Sequence, residues 1–502
     1  MNTLKNSKIS YVVLFAIMVV PFFYYDYFSL LTAPPIGTHI WRQTDSASFA
    51  WCFWKNGMNF FQPQILNRSF GNGFAVSEFP ILQYIIALLY AVFGFHWWIS
   101  KLVYVVVYFS GLAAIFHSTK YFIKDLFWAY ILSLLFFTAP AMVFYGNSCV
   151  PDVAALSFSF IGFSFFLSYQ ETNKKYFLWL GTIFFCLAGL MKITYLLLFI
   201  SSMIVLMFLF FKDKNEFYFL FKRYLFSIVL IIAINLVWNL WAAHYNEIND
   251  NKYFLNKLNP IWYDDENKAY IFTRTYKEWA LHLFASPTNY LFLFSILLVP
   301  IGFFRGNKFL ALNTFFLILG TIVYYLLWYL QFLVHDYYTI LFYAMYLFSF
   351  LNMLAIVDKI KLKNYIYIPL KIACVILLMV NMFHVKSDLE VRYKDAYLYP
   401  TNKFLLYKDL APYLKSIGIK DGDYVCATTD GSPQTILCAL QQPGFTAYLI
   451  GKYTPETLAE CKSKGAKFFF IMDTNEYKEL IEQLNTTNKP IGHYKEALIY
   501  KL

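Results

Sequence analysis

Charge is what this 502-residue chain has least of: Asp, Glu, Lys and Arg together make up 14%, against 59% hydrophobic and 22% aromatic residues. Soluble domains carry about 25% charged residues, so an ordinary soluble class is excluded and a polytopic membrane protein is expected. Paired cysteines are missing as well. The seven cysteines are scattered, with no CxxC and no Cys/His set at metal-ligand spacing, which excludes a zinc finger. There is no GxGxxG and no P-loop, so nothing supports nucleotide binding. No basic, aromatic-interleaved soluble patch stands out, and none of the net charge of +11 requires a nucleic-acid partner.

What the chain has is long apolar runs. Crossing a hydrocarbon core of about 30 Å takes roughly 20 helical residues, and about eleven runs of that kind recur before residue 385. They cover approximately 9–31, 96–117, 127–146, 152–170, 176–191, 194–211, 224–243, 288–304, 309–333, 337–357 and 365–384. The first follows Lys5 and Lys8, is too long for a signal-peptide core and ends in Thr32-Ala-Pro-Pro35 without a cleavage site, so a retained helix is expected.

Basic residues fix the expected orientation. With the N-terminus inside, the inside connections carry Lys120 and Lys124, Lys174 and Lys175, Lys212 to Arg223, Arg305 and Lys308, and Lys359 to Lys363. Every inside connection is then basic, as short cytoplasmic loops should be. The outside connections become 32–95, 147–151, a turn near Lys192, 244–287 and His335-Asp336, and most conspicuous acids and histidines share that face. The expected location is an inner (cytoplasmic) membrane of bacterial type, with this face and the C-terminus toward the periplasm or exterior.

From residue 386 to 502 the chain turns charged, with Gly-Asp, Gly-Ser-Pro and Pro-Gly punctuation. Strands are predicted over 423–429, 445–450, 467–473 and 497–502, with helices over 403–417, 433–440, 455–464 and 474–484 between them. The division is therefore a transmembrane domain over 1–385 and a small extracytoplasmic α/β domain over 386–502. Cys426, Cys438 and Cys461 fall in the second, where a Cys426–Cys438 disulfide and buried free thiols are both open.

The chemistry concentrates in the first outside loop. His39-Ile-Trp-Arg42-Gln-Thr-Asp45 and, further on, Glu78-Phe-Pro80 put two carboxylates and a basic group just after the first span. Thr44 is placed to cap a helix that ends at Gly57, and Ser77 to precede one with Pro80 in its first turn that ends before Gly94. Both read as interfacial helices, with Asp45 and Glu78 in first turns where the helix dipole favours ionised carboxylates suited to act as bases. Acids in first turns also serve simply as stabilising N-terminal charges.

The order of these pieces resembles a known architecture. Trp-Arg-Gln-Thr-Asp-Ser-Ala, then Asn-Gly-Met-Asn-Phe-Phe-Gln-Pro, then Ser-Glu-Phe-Pro-Ile-Leu-Gln-Tyr, all after one span, resemble the first outside loop of polyprenyl-phosphate-dependent glycosyltransferases of the GT-C superfamily. The likeness is to glycosyltransferase family 39 and its relatives, the protein O-mannosyltransferases and the lipid A aminoarabinose transferases. Pro151-Asp152, Gly189-Leu-Met-Lys192 and His335-Asp-Tyr-Tyr338 stand where such proteins carry comparable short motifs, so the resemblance covers most of the chain.

The resemblance implies a donor consisting of a sugar on a polyprenyl phosphate, an acceptor hydroxyl on a lipid, glycan or protein, and Asp45 as the base that deprotonates it. Independently of the resemblance, Glu78 is a candidate to support Asp45 or to hold a metal with His39. Such chemistry also needs cations for the departing phosphate. Lys192, at the outside end of a span, is the first candidate, and Lys101, where relatives commonly carry Arg, the second; Arg42 and Arg274 follow. For both lysines the alternative is snorkelling at the interface. His335, Tyr337 and Tyr338 are candidates for contacts with donor or acceptor, or else belong to an aromatic belt, and Asp152 for orienting helices or another polar residue. The loop over 244–287, with Asp264, Asp265, Glu266, Arg274 and Glu278, is a candidate cap over the cavity. His39 and Glu78 do not define a metal site by themselves, and no cofactor or essential metal is expected. The competing class is a multi-span lipid or glycan transporter or flippase, which should show paired, interrupted helices in two halves; no convincing internal repeat is found. A third is a catalytically silent envelope scaffold.

Overall fold

The computed structural model describes residues 2–211, 214–251, 253–254, 258–263, 266–394, 409–428, 432–448 and 451–502. By packing, the chain divides into two units: Met1–Leu30 with Tyr104–Asn239 and Lys257–Glu390, and Leu31–Val103 with Leu240–Asn256 and Val391–Leu502.

The first unit is helical, because backbone groups that meet no water must close their hydrogen bonds within the segment. Among the described residues seven helices are long and apolar enough to cross a membrane: Trp97–Ile123, Pro151–Thr172, Ile193–Phe210, Phe221–Ile248, Lys308–Leu327, Asp336–Ile360 and Asn364–Tyr393. The number is nine if Leu126–Phe136 with Pro140–Gly146, and Lys268–Leu283 with Ser286–Leu297, each count as one bent span. The other two of the eleven expected runs are the shorter apolar helices Lys8–Tyr24 and Lys175–Met191. At 17 residues the latter is about 26 Å long, short of a full hydrocarbon core.

Prolines account for the departures from straight spans. The expected helix over 127–146 bends by 69° where Ala139 takes an extended conformation before Pro140. The expected helix over 288–304 is two, Ser286–Leu297 and Val299–Arg305, because Pro300 has no N–H to continue the ladder. The expected long loop over 244–287 is largely helical instead: one helix runs on to Ile248, and Lys268–Arg274, a π-turn at Thr275–Trp279 and Ala280–Leu283 follow. Asp264 and Asp265 lie outside the described residues.

Without a hydrophobic force between helices in lipid, close approach and polar pairs hold them. A Cβ on Gly181 would lie 2.1 Å from the Phe166 ring and 3.0 Å from the carbonyl oxygen of Gly162, so Pro151–Thr172 and Lys175–Met191 meet at two glycines. Elsewhere Asn381 donates to Thr288 Oγ1 at 2.6 Å and accepts from the Ala285 N–H at 3.0 Å, satisfying the break before Ser286.

The second unit carries a five-stranded sheet. Its strands are β1 (Tyr424–Ala427), β2 (Gly444–Thr446), β3 (Ala466–Ile471), β4 (Gly492–Tyr494) and β5 (Ala497–Lys501), in the order β2-β1-β3-β5-β4. The first three are parallel and the β3-β5-β4 side is antiparallel. Strand β4, absent from the expected set, is three residues long and pairs only with β5, too short to register as a periodic run.

Alternate strand residues face opposite sides. Val425, Ala427, Phe468, Phe470 and Ile499 point to one side, where they pack with Ile40, Ala47, Trp51, Cys52 and Leu66 of the first long loop. Cys426, Phe469, Ile471 and Tyr500 point to the other, with Leu458, Cys461 and Leu480. The first loop and the C-terminal sheet therefore share one core. Residues 66–68 even extend the sheet edge: Gly444 N–H donates to Leu66 O at 3.0 Å and Arg68 N–H to Gly444 O at 2.7 Å. All seven cysteines are free, and Cys426 and Cys438 do not pair, because they belong to the cores on opposite faces of the sheet.

Asn67 joins the loop to the sheet. Fully buried, it donates to Pro433 O at 2.7 Å and to Thr446 Oγ1 at 3.0 Å, while its own N–H donates to Gln434 Oε1 at 3.2 Å. Replacing it by a leucine of similar size keeps the main-chain bond to Gln434 but orphans Pro433 O and Thr446 Oγ1, and Asn67→Leu should cost about 3 kcal/mol. Thermal unfolding of the purified chain should register a clearly lowered midpoint; an unchanged midpoint would mean that the network contributes nothing.

Candidate active site

Asp45 lies on the Ile40–Lys55 helix, not in its first turn but in its second. The helix begins earlier than Thr44 because Gly37 and His39 adopt positive φ, 83° and 56°, and turn the chain into helix at Ile40. Thr44 consequently does not cap: its hydroxyl donates back to Ile40 O at 3.0 Å and lies 3.3 Å from Thr435 Oγ1. Glu78 is not in a first turn either, since the helix expected to hold it is Ile81–Phe93, with Pro80 as the residue before it. The helix dipole thus favours ionisation of neither acid.

Burial governs Asp45 instead. The residue is 3% exposed, and desolvation pushes its carboxyl up to about 7, opposed by the Arg42 charge and by the Tyr253 hydroxyl, and reinforced by Glu78. Tyr253 Oη lies 3.2 and 3.3 Å from the two carboxylate oxygens. The Arg42 guanidinium reaches only to 4.0 Å of Asp45, while its other nitrogen pairs with Glu78 Oε2 at 2.6 Å and lies 3.4 Å from Ser77 Oγ. The Ser77 hydroxyl donates to the same Glu78 oxygen. Three residues singled out in the sequence, Arg42, Asp45 and Glu78, are thus brought together. Glu78 absorbs most of the arginine, which leaves Asp45 incompletely compensated and therefore basic near neutral pH. Lys101, in the same unit, is 2% exposed, so it is not an interfacial snorkelling lysine.

The first unit gathers a second group. Lys192 sits in extended conformation between the Lys175–Met191 helix and the turn Ile193–Leu196. Its ammonium pairs with Asp152 Oδ1 at 2.9 Å and lies 3.6 Å from the centroid of the Tyr338 ring and 5.8 Å from that of Tyr337. Asp152, at the second position of the Pro151–Thr172 helix, also accepts from Tyr195 Oη at 2.9 Å. Asp336 accepts from the Tyr145 hydroxyl, and the His335 ring packs 5.1 Å from Tyr337. Lys192, Asp152, Tyr337 and Tyr338 are thus one cluster. Arg274 is engaged otherwise, with Glu278 at 3.0 Å, Leu333 O at 2.6 Å and the Trp279 ring at 4.5 Å.

Among the described residues no three or more His, Cys, Asp or Glu side chains gather as metal ligands would. Tyr253 escaped the sequence reading, because nothing in the pattern ties a residue just beyond a span to the first loop; the run Asn246, Asn249, Asn251 was the available signal of a polar, turning segment.

No protein-family profile matches the chain, and no curated protein matches it by sequence. Solved structures do. ArnT from Cupriavidus metallidurans in the apo state superposes with a TM-score of 0.62 at 11% identity, over 99% of this chain and 98% of that one. The same protein bound to undecaprenyl phosphate gives 0.60 at 12% identity, over 98% and 97%. The Archaeoglobus fulgidus oligosaccharyltransferase in its apo form gives 0.53 at 10% identity, over 88% of this chain and 66% of that one. The chain accordingly has the fold of ArnT and of the archaeal oligosaccharyltransferase.

The raised Asp45 pKa carries a stability signature. An acid held protonated by the fold, with a folded value near 7 against 3.8 unfolded, loses its favourable contribution as pH rises between those values. Thermal stability of the wild type should therefore fall from about pH 4 to about pH 7, by an amount on the order of a few kcal/mol. Asp45→Asn should flatten that fall and be the more stable protein at pH 8. A variant that is no more stable at pH 8, with the same pH dependence as the wild type, would show that Asp45 carries no raised pKa.

Proposed function

We propose that this chain is a glycosyltransferase that moves a sugar from a polyprenyl-phosphate donor to an acceptor hydroxyl, on the outer face of the membrane. The observation that carries the reading is Asp45: a buried carboxylate with a proton affinity near neutrality, beside Arg42 and Glu78. The GT-C fold adds to it, since ArnT with that fold is known bound to undecaprenyl phosphate.

In this mechanism Asp45 takes the proton of the acceptor hydroxyl, whose oxygen attacks the anomeric carbon as the bond from that carbon to the phosphate oxygen breaks. The bond pair leaves with the polyprenyl phosphate, and configuration inverts. Glu78 holds Arg42 so that the guanidinium does not quench the base. Lys192 is the first choice for binding the donor phosphate, because a lysine held by Asp152 and resting on Tyr338 is fixed in place rather than sampling the interface. Arg42 and Lys101 come next, and Arg274 last. His335 and Tyr337 are proposed to contact donor or acceptor. All eleven apolar runs are proposed to enter the membrane, with the basic connections inside and residues 386–502 outside. The acceptor class, lipid, glycan or protein, is left to experiment.

Transfer from a synthetic polyprenyl-phosphate sugar tests the roles separately. Asp45→Asn should lower transfer by about 10²–10⁴-fold while donor affinity stays near wild type. Lys192→Ala should weaken donor binding, and Lys192→Gln, of similar length without charge, should not restore it; a common loss of stability with unchanged affinity would make Lys192 an anchor. Orientation is checked by cysteine labelling, which should place Asn2 and Lys489 on opposite sides; the same side for both would overturn the topology.

A further inference from the structure

Only one hydroxyl donates to the Asp45 carboxylate among the described residues, and it arrives from a distant part of the sequence. Tyr253 belongs to the short segment after the Lys214–Ile248 helix, and that segment is tied to the first long loop at consecutive points. Asn246 embraces Val76 from both sides of its peptide: its Oδ1 accepts from the Val76 N–H at 2.9 Å and its Nδ2 donates to the Val76 carbonyl at 2.8 Å. Asn251 donates to Phe74 O at 3.2 Å and accepts from the Tyr253 N–H at 3.1 Å. Gly71 allows the approach, since a Cβ there would fall 2.2 Å from the Asn249 carbonyl oxygen. The Tyr253 ring is wedged against Phe70 at 5.1 Å and Phe254 at 4.6 Å, with Tyr448 at 6.1 Å.

From this geometry we infer that Tyr253 is the positioning residue of the base: its hydroxyl orients the Asp45 carboxylate and sets the pH at which it accepts the acceptor's proton. The inference rests on the proposed transfer reaction for its catalytic meaning, though not for its physical test. Tyr253 is suited to donate and never to compete as a base, because burial first, and the neighbouring Asp45 charge second, hold its own proton far more tightly than a free phenol does. A proton donor shared by both oxygens stabilises the ionised carboxylate and so offsets part of its desolvation. It also leaves the remaining lone pairs for the incoming hydroxyl. In the reaction the acceptor O–H bond breaks, its proton passes to Asp45, and the Tyr253 proton stays where it is.

Tyr253→Phe keeps the ring packing and deletes the hydroxyl alone. Losing that donor favours protonated Asp45, so the acid limb of the pH–rate profile for transfer should move up by about one pH unit, with the rate recovering toward the wild-type plateau at high pH. The pH range over which thermal stability falls should extend upward by the same amount, and this second reading needs no substrate. Asn246→Ala, which loosens the tether but spares the hydroxyl, should shift both curves in the same direction by less. Unmoved curves, or a uniform drop in rate at every pH with no shift, would overturn the role of Tyr253. A chain without transfer activity whose stability curve still moves in Tyr253→Phe would overturn the transferase reading and leave the Tyr253–Asp45 coupling standing.

Discussion

A carboxylate withdrawn from water and given less than full compensation is the constraint around which the second unit is organised. Desolvation raises the proton affinity of Asp45, and the nearest cation is diverted: Arg42 lies 2.6 Å from Glu78 but 4.0 Å from Asp45. Had Arg42 paired tightly with Asp45, the acid would be a spectator at neutral pH. Holding this imbalance requires a rigid frame. The helix Thr435–Leu440 and the residue before it supply it, through Thr435 beside the Thr44 hydroxyl, the Cys438 thiol donating to Thr44 O at 3.3 Å, and Ser48 donating to Gln434 at 3.2 Å. That helix, backed by the sheet with which it shares a core, therefore acts as the bed on which the Asp45 helix is seated.

The helical unit meets the complementary problem of keeping polar groups on apolar spans. Several are matched by a partner on another element: Asp152 by Lys192 and Tyr195, Asn381 by Thr288, Thr182 by Ser227 at 2.8 Å. Such pairs are worth little apiece in lipid, yet an unmatched group there is costly, so they set which helices meet and at what height. The Lys192 cluster also engages aromatic faces, Tyr338 above all. A cation already held by a carboxylate and a ring loses little conformational freedom on meeting a phosphate.

Much of this was legible in the sequence, and the gaps have physical causes. Long apolar runs declare helices without ambiguity, and the alternation in Val425-Cys426-Ala427 and Phe468-Phe469-Phe470 declares strands buried on both faces. Arg42, Asp45 and Glu78 could be read as one group because they share the first loop. Their electrostatics was not. A single left-handed residue, His39, moved the helix start and carried Asp45 out of the first turn, and no periodicity reports that. The breaks at Pro140 and Pro300 fall inside runs whose hydrophobicity is uninterrupted, so composition alone reads through them. Tyr253 depends on a pairing across some two hundred residues, with the run Asn246, Asn249, Asn251 as its local sign. Cys426 and Cys438, close in sequence, are separated by the thickness of a sheet.

The account stands or falls on the protonation state of one side chain. Infrared difference spectroscopy of the full chain in a lipid or detergent film, titrated from pH 4 to pH 9 with Asp45→Asn as the reference, resolves that carboxyl directly. A protonated carboxyl band that disappears with a midpoint near 7 in the wild type and is absent from the variant is the expected result. An Asp45 that is already ionised at pH 5 would contradict it, and with it the view that burial against an arginine claimed by Glu78 makes this residue a base.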